Sequence, residues 1–220
     1  KAYLLDNRIY NGKTAFGMAL DEFYSGEMAS TYLNLAEAVW GMPEDYPVGA
    51  CPFLTGDGDL GNPSVDMNFF SAIRNSSQGK GKMLFEAYYR SAANAKDFEK
   101  ELDIYRTIAR NANVLSPDGV SGLVYVGGAY MTPGDYLCNR FPETDPKFLI
   151  DRFYRDFATN PVYRGLGGLG IYTLSHCDEG TLRFYAACQR HYCVEGKTDS
   201  LAEKYGFVCN PGHLKNCDFE

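Results

Sequence analysis

Acidic side chains in two apolar stretches of the chain are its best candidates for catalysis. The run 16–20 is followed at once by Asp21 and Glu22, and a second run, 82–89, contains Glu86. Short apolar runs bounded by glycine and polar residues predict buried strands of a parallel sheet. Because parallel sheets bind ligands at the carboxyl ends of their strands, we predict a functional site at these three carboxylates. Asp21 capping the next segment and Glu22 in a solvated loop are the structural alternatives.

Two carboxyl groups that flank one bond are the groups that hydrolyse glycosides, one as a proton donor and the other as a nucleophile or base. Adjacent strand residues point to opposite faces, so Asp21 and Glu22 cannot share a site unless the strand ends between them. We predict Glu22 as the proton donor and Glu86 as the second carboxylate, with Asp21 as the alternative. A carboxylate inside an apolar run is costly unless it is functional or paired, and Arg90 or Lys82 would serve equally well as an ion-pair partner of Glu86.

Tyrosines near the predicted strand ends are the candidate sugar platform. The chain has 17 tyrosines, whose flat rings suit both core packing and stacking on sugar rings. Packing accounts for most of them. The predicted substrate-binding residues are Tyr24, Tyr88, Tyr130, Tyr172, His176 and His213.

The composition excludes several classes of partner. The formal net charge is -7 and the pI is about 5.0, which leaves no basic surface for nucleic acid or for an anionic membrane. No window reaches the roughly 18 consecutive apolar residues of a spanning helix. At 220 residues we expect one domain. The sequence opens at Lys1, so a leader segment upstream stays open.

The seven cysteines match no metal or iron–sulfur signature and contain no C-x-x-C, so we predict neither a metal nor a cofactor. Cys188 and His191 share a helical face with Cys193 close by, but a set of this kind is rarely a zinc site. Cys177 beside His176 is discounted as a nucleophile, because neighbouring residues rarely orient as nucleophile and base.

Strand and helix patterns alternate along the chain, which predicts an α/β fold with a parallel sheet and right-handed crossovers. A long loop is predicted over 42–63 and a turn at Asn11-Gly12. No glycine-rich phosphate turn follows the first strand, so we favour a β/α barrel over an open sheet. With 220 residues it would be the last five or six units of an N-terminally truncated barrel. The predicted helices cover 30–40, 95–112, 146–158 and 178–194, and the predicted strands cover 17–23, 82–89, 121–130, 166–174 and 205–209, with another possible at 2–6.

Several of these segments resemble the later strands of TIM-barrel glycoside hydrolases and of the related barrel proteins of bacterial polysaccharide use. The likeness is carried by the Asp-Glu-Phe strand ending at 21–23, the Phe-Glu-Ala-Tyr-Tyr segment at 85–89 and the aromatic-rich strands that follow. It implies a carbohydrate substrate, a secreted or cell-surface location, and Glu22 as the acid/base at the end of a fourth strand. One departure is that 170–176, the counterpart of the seventh strand, lacks the expected glutamate.

The C-terminal segment 210–220 resembles the end of a barrel followed by the opening of a carbohydrate-binding β-sandwich module. The resemblance therefore implies a barrel domain over 1–212, with 213–220 as the start of an accessory module. Two other interpretations stay open. One is a catalytically silent barrel that binds carbohydrate through its tyrosines, and the other is an unrelated barrel enzyme such as a lyase or isomerase.

Overall fold

A computed structural model describes eleven stretches of the chain: 9–10, 13–14, 18–24, 29–41, 48–53, 70–75, 78–87, 95–115, 118–128, 145–172 and 178–207. The strands are β1 Ile9–Tyr10, β2 Lys13–Thr14, β3 Met18–Tyr24, β4 Val48–Phe53, β5 Lys82–Ala87, β6 Leu123–Gly128 and β7 Gly168–Tyr172. The helices are α1 Ala29–Trp40, α2 Ala95–Leu115, α3 Pro146–Thr159, α4 Glu179–Cys188 and α5 Leu201–Tyr205, with a π-helical turn at Gln189–Val194.

Five strands form the main sheet and lie side by side in chain order, from β3 through β4, β5 and β6 to β7. The β3–β4 and β4–β5 pairs are parallel, with Leu20, Ala50 and Met83 in one row. The expected parallel sheet is thus found for these three strands. The short strands β1 and β2 pair antiparallel, Ile9 with Thr14 and Tyr10 with Lys13, and the turn predicted at Asn11-Gly12 lies outside the described residues.

The prediction of an incomplete TIM-type β/α barrel is wrong. In the part of the chain that the structure describes, helical segments outweigh strands and the sheet is open, with β3 at one edge and β7 at the other. Closing a barrel demands a consistent strand number, tilt and stagger, conventionally eight strands for this type. Alternating strand and helix patterns do not encode closure, which is why the sequence pattern pointed to an architecture that the chain does not form.

Two local predictions also need correction. Strand β4 lies within the predicted loop 42–63, where glycine, alanine and proline conceal the usual β-branched strand signal. Tyr205 was predicted to begin a final strand but is the last residue of helix α5. Ser200 caps that helix by accepting from the Glu203 amide, and Gly206 closes it in the left-handed conformation at φ 78°.

The four predicted helices are confirmed to within a few residues. Helix α3 begins at the favoured pair of an Asp145 cap and Pro146, and the Asp145 carboxylate accepts from the Lys147 amide at 2.8 Å. Helix α4 is capped in the same way by Asp178. The predicted helix 178–194 continues past Cys188 as a π-helical turn, which the helical period alone does not distinguish from an α-helix.

The described chain divides into two compact units. The first comprises Lys1–Glu86, Thr107–Val126 and Gly165–Gly170. Its core includes Phe85 and Tyr125, whose rings lie 5.9 Å apart. Within this unit Gly167 lies so close to the carbonyls of Ser121 and Leu123 that a side chain there would overlap backbone atoms.

The second unit comprises Ala87–Arg106, Gly127–Arg164 and Ile171–Glu220. Its core is aromatic, and edge-to-face rings connect Phe153 with Tyr105 and Tyr154 with Tyr185. None of the helices in the described residues is both long enough and apolar enough to span a membrane.

Candidate active site

The carboxylates of strand β3 lie at an irregularity in its pairing with β4. Asp21 is paired with Cys51, but the next pair is Phe23 with Pro52, so Glu22 is an extra residue on β3. The strand continues past both acidic residues to Tyr24 rather than ending at them. An extra residue of this kind is a β-bulge, which bends the strand and breaks the strict alternation of its side chains.

Pro52 gives a physical reason for the bulge at Glu22. A proline has no backbone N–H and cannot donate to a neighbouring strand, so it interrupts the ladder of a central strand. Strand β4 lies between β3 and β5, and the register shift falls where Pro52 pairs with Phe23. Pro52 was therefore the available sequence signal, since a proline inside a central strand is found essentially only at bulges.

Glu86 is the penultimate residue of β5. The burial of this strand alternates, with Met83, Phe85 and Ala87 buried and Lys82, Leu84 and Glu86 half-buried. Glu86 therefore lies on the less buried face of the sheet, three residues beyond the Met83 row. The Lys82 ammonium, one of the two alternative ion-pair partners of Glu86, donates to the Ser121 carbonyl at 2.6 Å. Arg90, the other partner considered, lies outside the described residues.

The predicted substrate-binding residues are only partly covered by the structure. Tyr24 is the last residue of β3, and Tyr172 is the last residue of β7, with half of its surface (52%) exposed. Both tyrosines are thus the final residues of their strands, and their role in substrate binding stays a prediction. The other four predicted residues, Tyr88, Tyr130, His176 and His213, lie outside the described residues.

A buried carboxylate of the second unit was missed by the sequence analysis. Asp151 on α3 is 1% exposed and accepts three hydrogen bonds, from the Tyr192 hydroxyl at 2.7 Å, the Ser200 hydroxyl at 2.7 Å and the Leu201 amide at 2.9 Å. This carboxylate of α3 thus connects its own helix with two other elements, the π-helical turn and the start of α5. A carboxylate on the apolar face of a predicted helix, together with the Ser200-x-x-Glu203 capping pattern, was the available signal.

The discounted zinc set gains no support from the geometry. Burial, with a further contribution from Asp151, raises the pKa of the Cys188 thiol, which opposes the thiolate form that binds metals. His191 Nε2 lies 2.9 Å from the Asp199 carbonyl and 3.3 Å from its carboxylate. The described residues contain no group of three or more metal-ligating side chains.

Comparison of the chain with protein-family models, with curated proteins and with solved structures finds no match.

Proposed function

We propose that carboxylates of β3 and β5 hydrolyse glycosidic bonds in an oligo- or polysaccharide. Glu22 is the proton donor, and Glu86 or Asp21 is the second carboxylate. The observation that carries the proposal is the parallel register of β3, β4 and β5, which directs the ends of the strands that hold these residues to the same edge of the sheet. The chemistry rests on the residues themselves and does not require a closed barrel.

Strand spacing supports this pairing. Strands β3 and β5 are separated by one strand, and neighbouring strands are about 4.8 Å apart, so their backbones are roughly 10 Å apart. Carboxyl pairs of glycosidases are about 5–5.5 Å apart in retaining enzymes and about 6.5–9.5 Å apart in inverting ones. Side chains that converge from these two strands reach that range, whereas carboxylates on opposite sheet faces do not.

The bulge at Glu22 bears on whether Asp21 and Glu22 can act on the same substrate. Strict alternation would exclude Asp21 and Glu22 from a common face, but the extra residue in the β3 ladder interrupts the alternation. Bulges occur beside active sites, where they redirect a side chain. Asp21 pairs with Cys51 across β3 and β4. The register of β4 with β5, together with the two-residue alternation along a strand, puts this pair and the Glu86 position on the same face of the sheet. The sheet edge therefore provides two candidate partners for Glu22.

In the proposed reaction Glu22 donates a proton to the glycosidic oxygen as the bond to the anomeric carbon breaks. The second carboxylate remains ionised and either attacks that carbon or removes a proton from the attacking water. In this proposal the sugar ring contacts Tyr24, the last residue of the same strand as Glu22.

The test is reducing-sugar release from a panel of polysaccharides and aryl glycosides by the intact chain and its single variants. We expect Glu22→Gln and Glu86→Gln each to lower kcat about 10²–10⁴-fold with the fold retained, because each removes an acid or base from the transition state. Glu37→Gln, at an exposed glutamate of α1, is the matched control and leaves kcat unchanged.

Two outcomes would count against this function. Unchanged sugar release by Glu22→Gln would remove Glu22 from the mechanism, and Asp21→Asn would then identify whether Asp21 takes its place. Sugar binding by the wild-type chain without turnover of any glycoside would replace the hydrolase with a carbohydrate-binding protein.

A further inference from the structure

Two cationic side chains of the first unit converge on one residue at the amino end of β5. Arg74 Nη2 donates to the Ser121 hydroxyl at 2.9 Å, and Lys82 Nζ donates to the Ser121 carbonyl at 2.6 Å. Lys82 is the first residue of β5, so this cluster lies at the opposite end of that strand from Glu86. The two cations are therefore close to each other and separate from the proposed catalytic carboxylates.

No carboxylate of the described residues forms an ion pair with either cation. The ion pairs of the described residues involve other lysines, arginines and a histidine. Arg74 and Lys82 donate instead to carbonyl and hydroxyl oxygens, which carry no charge. Burial and the nearby positive charge of Arg74 together lower the pKa of Lys82. Two like charges held together in this way disfavour one another unless an anion joins them.

The backbone around Arg74 fixes the position of its guanidinium. Nη1 donates to the Gly79 carbonyl at 2.5 Å, and Gly79 has a left-handed conformation at φ 86°. A side chain at Gly79 or at Gly122 would overlap the Arg74 side chain. The guanidinium is thus packed closely against two glycines. Its two hydrogen bonds use only part of its five N–H donors.

We propose that Arg74, Lys82 and Ser121 form a binding site for a tetrahedral oxyanion, either free phosphate or sulfate or the phosphate or sulfate ester of a sugar. Both cations already donate to the same residue, Ser121, and oxyanions accept several charge-assisted hydrogen bonds from arginine and lysine at once. The anion supplies the negative charge that the described carboxylates do not. This site is independent of the hydrolase proposal, because it involves none of the residues assigned to that reaction.

The first test is the midpoint of thermal unfolding in phosphate, in sulfate and in chloride at matched ionic strength. A ligand that binds only the folded chain raises the midpoint. We expect a rise of about 3–5 °C when phosphate is at roughly ten times its Kd. Lys82→Met abolishes most of this rise, whereas Lys80→Met, which removes the charge of an exposed lysine two residues earlier, retains it.

The source of the anion is resolved by comparing inorganic phosphate with a sugar phosphate and inorganic sulfate with a sugar sulfate. A larger rise with the esters identifies a sugar ester as the ligand, and equal rises identify the free anion. An equal rise in Lys82→Met and in the wild type, or no rise in the wild type with any of these anions, would overturn the proposal.

A measurement on the wild type alone covers the case in which Lys82→Met fails to fold. In amide NMR spectra during a phosphate titration, we expect saturable shifts centred on Gly79, Ser121 and Gly122. Shifts scattered over unrelated surface amides, without saturation, would contradict the site.

Discussion

Asp151 shows how one side chain can hold several elements of the second unit. The carboxylate is buried and accepts from a hydroxyl on the π-helical turn, a hydroxyl at the cap of α5 and the first amide of that helix. Three donors directed at one buried acceptor offset the free-energy cost of burying it. Without the carboxylate, Tyr192 and Leu201 keep only longer contacts, to the Asp199 carbonyl at 3.1 Å and to the Tyr192 hydroxyl at 3.4 Å. The role of Asp151 is therefore structural.

Asp151→Ala is expected to lower the free energy of unfolding by about 2–5 kcal/mol, because it removes the shared acceptor of three buried hydrogen bonds. Ser200→Ala, which removes one donor and the cap of α5, costs about 1 kcal/mol. Urea unfolding measures both values, with Glu37→Ala, at an exposed glutamate of α1, as the control that stays within about 0.5 kcal/mol. A loss no greater for Asp151→Ala than for Glu37→Ala would contradict this role.

The stability of the second unit should fall in alkaline solution. Burial raises the pKa of the Cys188 thiol and, together with the hydrogen bond to Asp151, raises the pKa of the Tyr192 hydroxyl. Unfolded cysteine and tyrosine ionise near ~8.5 and ~10, so the unfolded state releases protons that the folded state retains. The contribution is complete below about pH 8.5 and is lost as the pH rises above that value.

Urea unfolding at pH 7, 9 and 10.5 measures this dependence. We expect the free energy of unfolding to fall across the series, and Tyr192→Phe to make the decline above about pH 10 shallower, since phenylalanine has no ionisable hydroxyl. Identical slopes for Tyr192→Phe and the wild type would show that Tyr192 retains its ordinary pKa in the folded chain.

At the scale of elements, α2 and α3 are joined by a network of charges within the second unit. Arg106 on α2 donates through Nη2 to the Asp156 carboxylate of α3 at 2.6 Å and through Nε at 3.0 Å, in the paired geometry that arginine favours. Only 15% and 10% of the two side chains are exposed. Glu99 joins the network by pairing with Arg106 and with Arg152.

Asp156→Asn is expected to lower the free energy of unfolding by about 1–3 kcal/mol, because it removes a charge-assisted, largely desolvated pair. A double-mutant cycle with Arg106→Met isolates the coupling between the two residues. Glu179→Gln provides the contrast, since its pair with Arg183 is exposed on one helix and contributes under about 1 kcal/mol. Equal losses at Asp156 and Glu179 would mean that α2 and α3 do not depend on this contact.

Helices were predicted more successfully than strands, and particular residues show why. In α2, four apolar residues recur at spacings of three and four, and all four are buried: Phe98, Leu102, Tyr105 and Ile108. The spacing in the sequence therefore predicted both the helix and its buried face. Strand β4 has no such record, because the segment 48–53 contains glycine, alanine and proline and depends on its neighbours for its conformation. Helix α5 is only five residues long, and its Ser200 cap was a weaker signal than the aromatic residues beside it.

At the scale of the molecule, local sequence patterns did not determine whether the sheet is open or closes into a barrel. The predicted alternation of strands and helices is compatible with an open sheet or a closed one, since closure depends on tilt and stagger between distant strands. The candidate carboxylates could be found from Asp21, Glu22 and Glu86 because acidic residues interrupt apolar runs. The bulge that bears on their orientation depends on pairing with Pro52, a contact between segments about 30 residues apart.

In the proposed hydrolase, Glu22 of β3 and a second carboxylate, Glu86 of β5 or Asp21 of β3, flank one glycosidic bond, and the most direct measurement is their separation in a crystal structure with a bound oligosaccharide. We expect the carboxyl groups of Glu22 and Glu86, or of Glu22 and Asp21, to lie about 5–10 Å apart on either side of one sugar linkage. Carboxyl groups that point to opposite faces of the sheet, with the sugar bound elsewhere, would contradict the claim.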